Sequence, residues 1–177
     1  SYCKLLIDGL EKSDLSLLVE TNSLASKQMA VSAASCFEVE LCKKIERFVH
    51  ETSRGNEEVR SLLRAKAIKR QFHTWFDWNQ KNANQFFGLF GVQFKQHMQD
   101  MVNNDDTLRE SICSFLELGK DRNEIVHSDF LNFSYDKTLD EVYNLYKKAR
   151  LFVDMFPEVL VRFSAARESA PENECPD

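Results

Sequence analysis

Glycine and proline are scarce in this chain: 5 Gly and 3 Pro among 177 residues, with Pro171 and Pro176 close to the carboxyl end. So few breakers leave long uninterrupted segments, which favour helices over short strands and tight turns. Asn-Gly is absent, and Asp-Gly occurs only at Asp8-Gly9, inside a helical pattern, so hairpin turns have no support. No run of about eighteen apolar residues is present, nor a leader of basic, apolar and small blocks. These absences predict a cytoplasmic protein with no membrane partner. The cysteines (Cys3, Cys36, Cys42, Cys113 and Cys175) are odd in number and lack Cys-x-x-Cys spacing. That usage predicts reduced thiols rather than a disulfide framework, with Cys36, Cys42 and Cys113 as small core residues on helices. Positive charge is also short. A formal charge of −5 excludes a general positive coat for nucleic acid but leaves room for a local basic strip.

What is present is apolar bulk: 43% hydrophobic residues and 14 Phe, enough for one folded domain with a core. Residues Tyr2 to about Glu20 read as a first helix, with Leu5, Leu6, Leu10, Leu15, Leu17 and Leu18 buried. A long second helix, from about Ser26 to His50, carries Ala30, Ala33, Ala34, Phe37, Leu41, Ile45 and Phe48 at three- and four-residue spacing. Thr52 to Asn56, with Gly55, reads as a loop. A third helix from Asn56 carries Val59, Leu62, Leu63, Ile68 and Phe72, and runs into the aromatic stretch Phe72–Trp78. A short helix, a break near Gly91 and another turn or two through Met101 follow. Asn103-Asn104-Asp105-Asp106 is a polar hinge that caps the next helix, whose apolar face is Leu108, Ile112, Phe115, Leu116 and Leu118. After a loop from Ser128 to Lys137, Thr138 and Glu141 form a capping box. The last long helix then presents Leu139, Val142, Leu145, Tyr146, Ala149 and Phe152, with a kink or restart at Pro157. The expectation is an all-α bundle of about five to seven helices: one domain over 1–167 and an acidic, disordered tail over 168–177.

The sharpest segment is Arg122-Asn123-Glu124-Ile125-Val126-His127. On a regular helix Asn123 and His127 share a face, while Arg122 lies roughly 140° from His127 and reaches round with its long side chain. Imidazole moves protons, guanidinium holds an anionic phosphate, and the amide orients. RNA supplies its own nucleophile, the 2′-hydroxyl. A catalyst must take that proton, deliver one to the leaving 5′-oxygen, and stabilise charge on phosphorus. One imidazole does not readily do both proton jobs at once. Two copies of His127 across a twofold axis, with two copies of Arg122, would do so, which favours a homodimer. No carboxylate cluster or Cys/His set suggests a metal or other cofactor. On spacing alone, an exposed helix end explains the same residues.

A late-helix Arg-Asn-x-x-Val-His before a polar loop resembles the HEPN ribonuclease superfamily, whose signature is Arg, four to six residues, His. Ser35 to Leu41 is similar to the acidic patch on that fold's long second helix, and Asn82 to Gly91 to the middle of its RiboL-PSP and defence-linked branches. The resemblance spans roughly residues 24 to 155 and is sharp only at Arg122–His127. It implies an all-α bundle, dimerisation through the motif helix, and metal-independent endoribonuclease activity in toxin or antiviral-defence settings, with an antitoxin or other regulator as a partner. Arg122, Asn123 and His127 match the motif.

Glu38, on the border of the apolar stripe, is the better-phased of Glu38 and Glu40 to orient Arg122 or His127. Arg60, Arg64, Lys69 and Arg70, with Arg54 and Lys66, outnumber Glu57 and Glu58 along the third helix. With Phe72, Trp75 and Trp78 following, they are candidates to track phosphates and stack bases of an RNA substrate. His50, His73 and His97 have no partnered spacing and read as surface or structural residues. Gly88 and Gly91 read as close-packing positions. The competing functions are an RNA-binding or protein-docking module without turnover, and a purely structural scaffold.

Overall fold

The structure is a computed structural model that describes residues 15–130 and 132–168. Among these residues it is all helical, with no strand. The frame is three helices: α1 (Leu15–Thr52), α6 (Asp106–His127) and α7 (Leu139–Glu168), which pack on one another. Between α1 and α6 the chain makes α2 (Glu57–Leu63), a π-helical turn (Arg64–Ile68), α3 (Phe72–Trp75), α4 (Asn84–Gly88) and α5 (Val92–Asn104). No helix among the described residues is long and apolar enough to cross a membrane.

No Gly or Pro interrupts residues 15–52, so α1 runs its full length without a break. Its stripe Ala30, Ala33, Ala34, Phe37, Leu41 and Ile45 is buried, as the spacing predicts, while Phe48 at its end is only half-buried. The pause expected between Glu20 and Ser26 does not occur. Ser26 Oγ instead donates back to the Asn22 carbonyl at 2.9 Å, a bond that leaves the helix intact. Leu17 is exposed and Leu18 only half-buried, contrary to expectation. Residues 2–14 of the expected first helix lie outside the described residues. So does the tail over 168–177, apart from Glu168, which ends α7.

The third helix is where local pattern and structure diverge most. Asn56 caps α2 by accepting from the Val59 N–H at 2.9 Å, yet Val59, Leu62 and Leu63 are exposed and only Ile68 and Phe72 are buried. The Lys69 N–H bonds the Arg64 carbonyl five residues back at 2.8 Å. This wider turn shifts the helical phase, so Ile68 faces α1 while the earlier apolar residues face outward. Arg70 then takes φ +62° and ends the run. Gly91 has φ +98°, and a Cβ there would meet nothing within 4 Å. Its role is backbone conformation, not the close packing expected of it. Gly88 likewise shows only one ordinary contact, Lys95 Cδ at 3.9 Å.

The core is a continuous aromatic mass. Phe76 stacks on Phe86 at 4.6 Å, Phe86 meets Phe156 at 4.7 Å, and Phe115 meets Phe152 at 5.2 Å. Asp105 caps α6 through the Leu108 N–H at 3.0 Å. Thr138 and Glu141 form the reciprocal box that opens α7, at 2.7 Å and 3.3 Å. Those Thr138 bonds hold the Glu141 carboxyl below its ordinary pKa. Cys36 is exposed, while Cys42 and Cys113 are half-buried; α1 turns Cys36 away from the Phe37 face.

Pro157 neither stops nor restarts α7, which runs through to Glu168. Proline removes the N–H that would bond the Val153 carbonyl. Lys44 Nζ of α1 takes its place, donating to that carbonyl at 2.8 Å and to Asp154 at 3.2 Å. Lys44→Met should therefore cost about 1–3 kcal/mol, the penalty of a carbonyl left without a donor. In a Pro157→Ala background the residue-157 N–H returns to Val153, and the same substitution should cost less. Urea unfolding of the four proteins checks this, and equal costs in both backgrounds would refute it.

Candidate active site

Where the last turns of α6 face α1 and the segment between residues 69 and 78, the surface opens into a cavity of ≈ 480 Å³. Its polar wall carries Glu38 from α1, Arg70 and His73 from the connecting segment, and Arg122, Asn123 and His127 from α6. Its apolar floor is Ala34, Phe37, Phe72, Trp78, Phe115 and Gly119.

The α6 residues reach the cavity by helix geometry. The helix stays regular to its last residue, His127, and the Ser128 N–H closes it on the Glu124 carbonyl at 3.1 Å. Asn123 and His127, four apart, share a face, and Ile125 is fully buried on the other side. Arg122 starts off that face and reaches in. Its Nη1 donates to Asn123 Oδ1 at 3.0 Å, and its Nη2 lies 4.0 Å from Glu38 Oε2. At that separation, with both side chains about a third exposed (32% and 39%), Glu38 steers the guanidinium by charge without a hydrogen bond. His127 is exposed at the cavity mouth.

Glu40 plays no part in this cavity. It accepts two bonds from Arg150 of α7, at 2.8 and 2.9 Å, in a brace that includes Asp154. Of the basic candidates, Arg70 alone lines the cavity. Lys69 and Arg64 line an adjoining depression that shares Glu38, Arg70 and Phe72 with it. Arg60 lies in a third, with Arg64, Lys43, Arg47 and His50. Arg60 donates to Glu57 at 2.7 Å, and Arg64 pairs with Glu46 at 3.2 Å. Neither pair is buried, so both are weak. Trp75 departs from the expected stacking role: it is 4% exposed and donates to the Ala67 carbonyl at 3.0 Å inside the core. Trp78 is half-buried and faces the cavity.

Three contributors escaped the sequence reading. His73 enters only because the chain turns at Arg70 and the segment that follows packs Phe76 and Trp78 on Phe115 of α6. Gly119 sits beneath the Trp78 ring, where an added Cβ would lie 1.9 Å from Cζ3; a lone glycine inside a helix was the available signal. Asp121 is 5% exposed and adjoins Arg122. It accepts from Tyr135 Oη at 2.7 Å and from Lys137 Nζ at 2.8 Å, tying the loop after α6 to the motif helix. Lys27 Nζ adds a bond to the Phe130 carbonyl at 3.0 Å. Neither Cys42 nor Cys36 is a ready nucleophile. Burial, with Glu38 and Glu46 nearby, pushes Cys42 up to about 11, and burial with Glu40 raises Cys36.

Comparison with known proteins gives one family: the model described as RiboL-PSP-HEPN matches residues 3–162. No curated protein and no solved structure matches the chain.

The Asp121 clamp has a signature in pH. Burial, then the hydrogen bond to Asp121, raise the Tyr135 phenol. Burial alone would lower Lys137, but Asp121 and Glu117 outweigh it and raise it. Folded, both groups keep protons that the unfolded chain releases above about pH 10. The stability they confer is complete below that value and is lost as pH rises toward the raised folded values. Tyr135→Phe should flatten the fall in urea midpoint between about pH 9 and 11; an unchanged slope would count against the clamp.

Proposed function

The chain belongs to the RiboL-PSP-HEPN family, and from that membership we propose that it is an endoribonuclease that cuts RNA with Arg122, Asn123, His127 and Glu38. The observation that carries the reading is convergence: these side chains meet in one cavity of nucleotide size. In the reaction, one imidazole takes the 2′-hydroxyl proton as that oxygen attacks the adjacent phosphorus. The bond to the 5′-oxygen breaks, and an imidazolium protonates the departing oxygen. The products are a 2′,3′-cyclic phosphate and a 5′-hydroxyl, and no metal is required because the nucleophile belongs to the substrate. Arg122 neutralises the phosphoryl oxygens with its planar fork of N–H donors. Asn123 and Glu38 hold that fork in place.

The substrate strand leaves along the contiguous depressions lined by Arg70, Lys69, Arg64 and Arg60. This local basic track on an acidic protein supplies phosphate contacts whose strength falls with salt. The second proton-transfer group comes from the partner's copy of the motif across a homodimer twofold. The setting is cytoplasmic toxin or antiviral defence, with a regulatory protein restraining the activity. One observation favours a different source for that second group: His73 lines the same cavity as His127 and would complete the pair within one chain.

His127→Ala and Arg122→Ala should each slow RNA cleavage by about 10²- to 10⁴-fold, in EDTA, with cyclic-phosphate ends from the wild type. Wild-type rates in both variants would overturn the assignment. RNA binding without any turnover would instead mark a binding or docking module. Rate per chain should fall on dilution below the dimer constant if the partner's imidazole serves. If His73 serves, the rate should resist dilution, and His73→Ala should abolish one limb of the bell-shaped pH profile.

A further inference from the structure

The polar wall of the cavity is absorbed by phosphate and proton chemistry; the aromatic floor is not. A phosphodiester needs a rim of donors, not ≈ 480 Å³ of space, and pockets of about 300–1,000 Å³ are those that engulf whole small ligands. The floor's accessible ring is Trp78. It is fixed from several sides: Nε1 donates to the His73 carbonyl at 3.1 Å, one stretch of the ring lies on Gly119, and Phe72, Phe76 and Phe115 stand at 5.8, 5.1 and 6.2 Å. An indole held this way is a stacking platform that loses no further rotamer freedom on binding. Two cations, Arg70 and Arg122, flank the same cavity. An aromatic floor beside a pair of guanidinium groups is complementary to a planar heterocycle carrying a phosphate.

We propose that the apolar half of the cavity is a nucleobase subsite. One base of the RNA strand turns out of its stack to lie against Trp78, with its own 3′-phosphate between Arg122 and Arg70. The subsite rests on the ribonuclease reading for its polymer, but its ligand chemistry, a ribonucleoside 3′-monophosphate, is testable without turnover. Seating the base fixes the ribose, and so places the 2′-hydroxyl beside the imidazoles. Cleavage then follows the nucleotide on the 5′ side of the cut.

The test is a titration of the full chain, by indole fluorescence and by calorimetry, with adenosine 3′-monophosphate and uridine 3′-monophosphate, against ribose 5-phosphate and inorganic phosphate as probes without a base. Nucleotides should quench indole emission and bind more tightly than either probe. Trp78→Phe should keep most of the affinity and lose the quench, which locates the signal on Trp78 rather than on buried Trp75. Trp78→Ala should weaken nucleotide binding by about 5- to 150-fold more than it weakens phosphate binding. Circular dichroism and urea unfolding of both variants separate this from loss of fold, and the Phe variant carries the test if the Ala variant unfolds. Equal affinity for nucleotide and base-free probes, or unaltered binding by folded Trp78→Ala, would overturn the subsite. A failed subsite with Arg122- and His127-dependent cleavage leaves the ribonuclease standing. A nucleotide quench with cleavage indifferent to Arg122 and His127 leaves the subsite standing and removes the ribonuclease.

Discussion

Trp78 and Gly119 approach so closely that a Cβ on the glycine would sit 1.9 Å from the indole, and this contact governs where the motif helix runs. Glycine in mid-helix costs about 1 kcal/mol relative to alanine, a loss offset here by aromatic packing against Phe72, Phe76 and Phe115. The contact lies one turn before Arg122 and Asn123. It fixes the distance between α6 and the segment that carries Arg70 and His73. A bulkier residue at 119 would force the walls apart, and the guanidinium, amide and imidazole would no longer share one space with Glu38.

Around that contact, charge is distributed unevenly. The chain is acidic overall, yet Lys43, Arg47, Arg60, Arg64, Lys69 and Arg70 gather along one groove beside α1. Their carboxylate partners, Glu46, Glu51 and Glu57, are all more than a third exposed, so the pairs exchange readily for other anions. The buried Asp121 group behaves differently. It is committed to Tyr135 and Lys137, and it serves the site by holding the loop that follows His127.

The features legible in the sequence are those set by local chemistry. The apolar stripe of α1, the Asp105 cap and the Thr138–Glu141 box depend on residues three and four apart, and each occurs as its spacing predicts. So does the shared face of Asn123 and His127, and helical phase alone separated Glu38 from Glu40. The misreadings have tertiary causes. Nothing near Pro157 announces that Lys44, more than a hundred positions earlier, supplies the missing donor. The exposure of Val59, Leu62 and Leu63 follows from a π turn that their own spacing does not encode. His73 and Gly119 acquire meaning only when the aromatic segment folds against α6, so neither periodicity nor motif spacing marks them.

The π turn at Arg64–Ile68 holds one more residue than a regular turn would, and that surplus sets the reach of the chain beyond it. Deleting a single residue there would restore an ordinary helix. It would then draw Arg70 and His73 back along the groove or swing α2 by about 100°. The cavity can thus be widened, narrowed or emptied of its connecting-segment groups by a change in chain length alone. A single-codon deletion outside the pocket would retune it without replacing any residue that lines it.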